Sequence, residues 1–120
     1  MTAPHLLLAA LALCACTAAP PTGGDTDAHG CQPSAGGTWS QLKQRCVQVF
    51  NAADIRAPDP NNGTLAVYAI LSPDRQSVEV FAADLPRPAL FSAVKGGYVS
   101  ADGRAWLVRR KDGWHFVRKP

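Results

Sequence analysis

The stretch YVSADGRAWLVRRKDGWHFVR, residues 98–118, decides the fold. Three runs rich in apolar residues, 98–100, 104–109 and 114–118, are divided by Asp102-Gly103 and Asp112-Gly113. Asp-Gly between such runs is a strong hairpin signal, because both residues tolerate the positive φ of a tight turn between twisted strands. Two such turns predict a three-stranded antiparallel meander.

The pattern continues toward the N-terminus. Residues 89–94 are a candidate strand ended by Lys95-Gly96-Gly97. The segment Asp84-Leu85-Pro86-Arg87-Pro88 cannot be a central strand, since each proline removes a ladder donor. Residues 77–81 (SVEVF) alternate with period two and pair back as a hairpin across Ser72-Pro73-Asp74-Arg75, where proline presets the turn. Residues 64–71 (TLAVYAIL) are nearly continuously apolar, as in a strand buried on both faces. Residues 51–63, with Pro58, Pro60, Asn61, Asn62 and Gly63, have loop chemistry. Residues 46–50 alternate as a half-buried strand. Residues 39–45 admit two readings: a short helix, with Thr38 and Gln41 spaced as a capping box, or an extended strand running into 46–50. The fold class is therefore mainly β: a small antiparallel sheet or partial barrel of six to seven strands, with at most one short helix.

The chain has 120 residues, 12 Lys and Arg, 9 Asp and Glu, and a net charge of +3. That length suits one domain, and the charge balance excludes a disordered polyelectrolyte. Residues 1–20 carry none of these charges. The apolar run at 6–13 is too short to span a bilayer but suits the h-region of a secretory signal. It ends in Leu13-Cys14-Ala15-Cys16, which resembles the lipobox of bacterial lipoproteins, with Leu13 at −3, Ala15 at −1 and Cys16 as the mature N-terminus. The resemblance implies diacylglyceryl and acyl chains on Cys16, hence a membrane partner through a lipid anchor. Thr17 after it, in place of the Asp of inner-membrane retention, implies the outer membrane of a bacterial cell envelope.

Processing at Cys16 removes Cys14 and leaves Cys31 and Cys46 as an even pair in an oxidising compartment. A disulfide between them closes a loop of about 15 residues, worth about 3 kcal/mol by loop entropy. The expected organisation is a signal peptide at 1–15, a lipidated N-terminus and Gly/Pro-rich tether at 16–37, and a β-rich domain at 38–120.

Groups for chemistry are few. Glu79 is the single glutamate, between Val78 and Val80, and alternation assigns it to the solvent face of its hairpin. His115 lies between Trp114 and Phe116 and faces away from them; no nucleophile or oxyanion motif accompanies it. His29-Gly30-Cys31 near Asp25 and Asp27 lacks the spacing of a zinc site. The expectation is no enzyme, no metal and no cofactor, with a binding or structural role at the envelope. Arg104, Arg109, Arg110, Lys111, Arg118 and Lys119 form the strongest charge feature. They suit either a solvated edge that resists strand addition or attraction to an anionic envelope polymer, and nucleic acid is not an expected partner. Trp106, Trp114 and Phe116 read as core.

Two resemblances add to this. Thr38-Trp39-Ser40, Cys46-Val47-Gln48-Val49-Phe50, Ile55-Arg56-Ala57-Pro58, Ser72-Pro73-Asp74 and Val78-Glu79-Val80-Phe81 resemble the pattern of a family of small bacterial lipoproteins, which implies a shared fold and lends no activity. Ser92-Ala93, Gly97-Tyr98, Asp102-Gly103, Trp106, Lys111 and Gly113 are similar to the signature of membrane-bound inhibitors of C-type lysozyme. That resemblance implies lysozyme as an alternative partner, with Ser92 and Lys111 as the contact residues.

Overall fold

A computed structural model of the chain describes residues 26–119. Seven strands follow one another in chain order as an antiparallel meander: β3 (Ile55–Asp59), β4 (Asn62–Leu71), β5 (Ser77–Phe81), β6 (Leu90–Val94), β7 (Gly97–Ser100), β8 (Ala105–Arg110) and β9 (Gly113–Arg118). The sheet curls until β9 lies against β3, and is nearly closed. A two-stranded hairpin, β1 (Gly37–Ser40) and β2 (Arg45–Gln48), precedes it, followed by one helical turn, α1 (Val49–Ala52). The mainly β reading holds.

Period two builds the interior. Ile55 and Ala57, Val67 and Ala69, Val78 and Val80, Phe91, Tyr98, Leu107 and Phe116 all point into one core. Each fully buried large apolar side chain contributes about 1.5–3 kcal/mol. Both Asp-Gly turns form where the alternation predicts them, with Arg110 opposite Gly113 and Tyr98 opposite Leu107.

Two strand assignments change. Residues 51–63 are not all loop, because β3 forms within them. Ile55, Ala57 and Asp59 face inward while Arg56 and Pro58 face out. Pro58 is tolerated because β3 ends the hydrogen-bonded ladder, where a missing N–H costs least; the register shifts between Pro58 and Asp59. The strand read over 46–50 stops at Gln48. As a helical turn, Val49 and Ala52 both pack on Val47, Ile70 and Phe81, while Phe50 stays 62% exposed.

Neither reading of 39–45 holds as a whole. Residues 39–40 are extended as the end of β1, residues 41–44 form a turn, and the chain reverses at Arg45 into β2, so the two segments pair as a hairpin and not as one continuous strand. The capping chemistry moves from Thr38 to Ser40, whose Oγ accepts from the Lys43 amide (3.0 Å). The Gln44 amide donates to the Ser40 carbonyl (2.8 Å), and Gln44 leaves the turn at φ 54°.

Cys31 and Cys46 are bonded, with Cα atoms 5.6 Å apart. The bond ties residues 26–36 to the hairpin. Within that segment the His29 ring stacks on Trp39 at 4.2 Å, and Asp27 Oδ1 accepts from the amides of His29 and Cys31 (2.9 Å each). The part of the predicted tether that is described thus packs against the domain.

Strand β4 is buried on both faces, as its apolar run implies, but only from Val67 onward. Val67 and Ala69 face the core; Ile70 and Tyr68 lie under the disulfide-tied hairpin and α1.

Candidate functional site

An up-and-down sheet sends its turns alternately to two ends. The turn after β3, the loop 82–89, the turn after β7 and the chain beyond β9 gather at one end, the mouth. They enclose an open cleft of about 910 Å³. Leu85, Ala89, Phe91 and Ala105 give it apolar lining. Arg104, Arg118 and Lys119 give it three cations.

Each cation is held by its element. The Lys119 amide donates to the Arg104 carbonyl (2.8 Å), closing β8 against β9 at the mouth. Lys119 Nζ sits 5.4 Å from the centre of the Trp106 ring. Arg118 points to the core side of β9 and pairs with Asp84 of the 82–89 loop, Nη1 to Oδ2 2.5 Å. Both side chains are partly solvated, so that pair holds the loop by less than about 1 kcal/mol. Asp102 supplies the second carboxylate. Its carboxyl lies below the usual range because the Ser100 hydroxyl donates to it (2.6 Å), helped by the Arg104 amide. Three cations against two carboxylates, one already paired, leave the cleft positive.

The other three predicted cations, Arg109, Arg110 and Lys111, lie at the opposite end, one strand length away, about 20 Å for six residues. The six residues read from the sequence are therefore two clusters. Arg109 lies 5.9 Å from the Trp114 ring centre, and none of the three lines the mouth cleft. Beside them His115 Nε2 bonds Asp112 Oδ1 (2.7 Å), and this is the main cause of the lowered Asp112 carboxyl. His115 is accordingly engaged with a turn carboxylate.

Trp114 and Phe116 pack on the core as predicted. Trp106 does not: it sits half-buried on the outer face, opposite Val99 and Val117. Ser92 lies mid-strand in β6, opposite Val99, which is itself opposite Trp106. Lys111 lies in the far turn, five residues beyond Trp106 and about 17 Å along the strand. The fold does not bring Ser92 and Lys111 together. Cys16 lies outside the described residues.

Glu79 is the main correction. It faces away from Val78 and Val80, as alternation requires, yet is 1% exposed. The β1–β2 hairpin covers that face. Glu79 Oε1 accepts from Ser40 Oγ (2.7 Å) and the Leu42 amide (3.2 Å), and Oε2 from the Gln41 amide (2.8 Å). These bonds fix the hairpin turn onto β5. Glu79 also lines a second pocket of about 360 Å³ with Asp27, His29, Trp39 and Arg87. A signal for this cover was present in Phe81, a large apolar residue two positions on and therefore on the same supposedly solvated face.

Among the described residues no three His, Cys, Asp or Glu side chains cluster as metal ligands, and no helix is long and apolar enough to cross a membrane. Comparison with protein-family models, curated proteins and solved structures finds no match to the chain.

Proposed function

We propose that this protein is a lipid-anchored binding module of the bacterial cell envelope, without catalysis of its own, whose mouth holds an anionic envelope polymer. The observation that carries the reading is that Arg104, Arg118 and Lys119 all line one open cleft with apolar walls, Lys119 at its outer rim beside Trp106. Guanidinium and ammonium groups from the β7–β8 turn and the end of β9 suit phosphate or carboxylate groups spaced along a polymer. The apolar lining suits the carbon skeleton between them. The Asp84–Arg118 pair is weak enough for a ligand anion to take the place of Asp84. The anchor at Cys16 rests on the Leu13-Cys14-Ala15-Cys16 motif.

Two experiments test this. The full chain carrying Cys16→Ser, and therefore free of acyl chains, binds purified lipopolysaccharide and not neutral dextran, with an affinity that falls as salt rises. Equal binding to dextran, or none to lipopolysaccharide, overturns the ligand class. Separately, Cys16→Ala abolishes labelling by a palmitate analogue in bacterial cells; labelling that persists removes the anchor.

A further inference from the structure

We propose that the pocket between the β1–β2 hairpin and the 82–89 loop is a second binding site, for a single cationic head, a guanidinium or primary ammonium, on a slender stem. The inference is independent of the cationic mouth.

It starts from Glu79. A buried carboxylate is costly unless hydrogen-bonded and paired. Glu79 has the hydrogen bonds but, among the described residues, no cation within ion-pair distance. A carboxylate offers about four acceptor positions. Three are used, two on Oε1 and one on Oε2, so Oε2 keeps capacity. Asp27 lines the same pocket with a similar surplus. Its Oδ1 takes two amides, and its other oxygen has no partner among the described residues.

The wall is aromatic. The stacked His29 and Trp39 rings line the pocket, and indole is the side chain that attracts cations best. Two carboxylates face one lining cation, the exposed Arg87, which forms no ion pair with either. The pocket's preference is therefore for positive charge. Its volume of about 360 Å³ lies at the small end of ligand sites, about 300–1,000 Å³, which suits one head group and its stem.

The test is titration of the full chain carrying Cys16→Ser with n-butylguanidinium, n-butylammonium and, as neutral control, n-butylurea, followed by amide and indole NMR signals. Either cation moves the Trp39 indole N–H and the Gln41 and Leu42 amides saturably, and n-butylurea does not. If both cations bind, a cationic head is the recognised group; if one binds, its geometry is selected as well. Glu79→Gln weakens cation binding about tenfold or more. Should that variant fail to fold, Asp27→Asn, which keeps the Oδ1 acceptor, weakens it about threefold with a native spectrum. Arg87→Gln strengthens it about threefold by removing a like charge. The proposal is overturned if neither cation shifts these signals saturably, if n-butylurea shifts them equally, or if Asp27→Asn and Arg87→Gln leave the affinity unchanged.

Discussion

At the mouth, Arg104, Arg118 and Lys119 surround a cleft with apolar lining; at the far end, Arg109, Arg110 and Lys111 ride on and beside an exposed turn. The charge is the same and the surroundings are not. Loop length makes the difference. The far end joins β6 to β7 and β8 to β9 through two residues each, 95–96 and 111–112. The mouth joins β5 to β6 through eight, 82–89, enough chain to raise a wall and bring Asp84 to Arg118. Long connections in small domains are where binding surfaces concentrate.

The contrast is open to attack through glycines at the two ends. The largest effect is expected at the far end. A Cβ at Gly97 lies 2.0 Å from the Leu107 carbonyl oxygen, so strand β8 would have to move. Gly97→Ala costs about 3 kcal/mol in urea unfolding, or prevents folding. At the mouth, Gly103 has φ 72° and open space around it. Gly103→Ala pays only the left-handed backbone cost, about 1 kcal/mol. Equal losses at the two sites contradict the close approach of β7 to β8 at Gly97.

Next comes the ion pair across the mouth. Asp84→Asn frees Arg118 and raises affinity for lipopolysaccharide about threefold, while stability falls by less than about 1 kcal/mol. Unchanged affinity means that Arg118 does not contact ligand.

The smallest effect is shared by both ends. Ser72 donates to Asp74 at the far end (2.7 Å), and Ser100 to Asp102 at the mouth (2.6 Å). Each bond is the main cause of a lowered carboxyl. A folded-state pKa below the unfolded value gives stability that is present above the unfolded pKa, about 3.9. It is lost as pH falls through the folded value. Melting temperature therefore declines below about pH 4, and Ser100→Ala makes the acid limb shallower. An acid limb unaffected by Ser100→Ala refutes the assignment.

Much of this architecture was legible. The Asp-Gly pairs gave the C-terminal meander, and the cysteine count gave the disulfide. Residues 64–71 announced burial on two faces. What covers the second face was not legible, because the hairpin reaches β5 through contacts nearly forty residues apart, Ser40 to Glu79. β3 was hidden by Pro58, which reads as loop until the strand is known to end the ladder. Half of the mouth was within reach: once two Asp-Gly turns are accepted, Arg104 and Arg109 must fall at opposite ends of one strand. Asp84 carried no comparable signal, since its role depends on the path of the 82–89 loop.

The most direct test of the mouth as the binding site sets two triple variants of the full chain, both carrying Cys16→Ser, side by side in lipopolysaccharide binding at fixed salt. One replaces Arg104, Arg118 and Lys119 by Gln, the other Arg109, Arg110 and Lys111. Both remove three charges, so long-range attraction drops equally and only local contact separates them. The account predicts at least about a tenfold loss for the mouth variant and less than about a threefold loss for the far-end variant. Equal losses, or a greater loss at the far end, would contradict it.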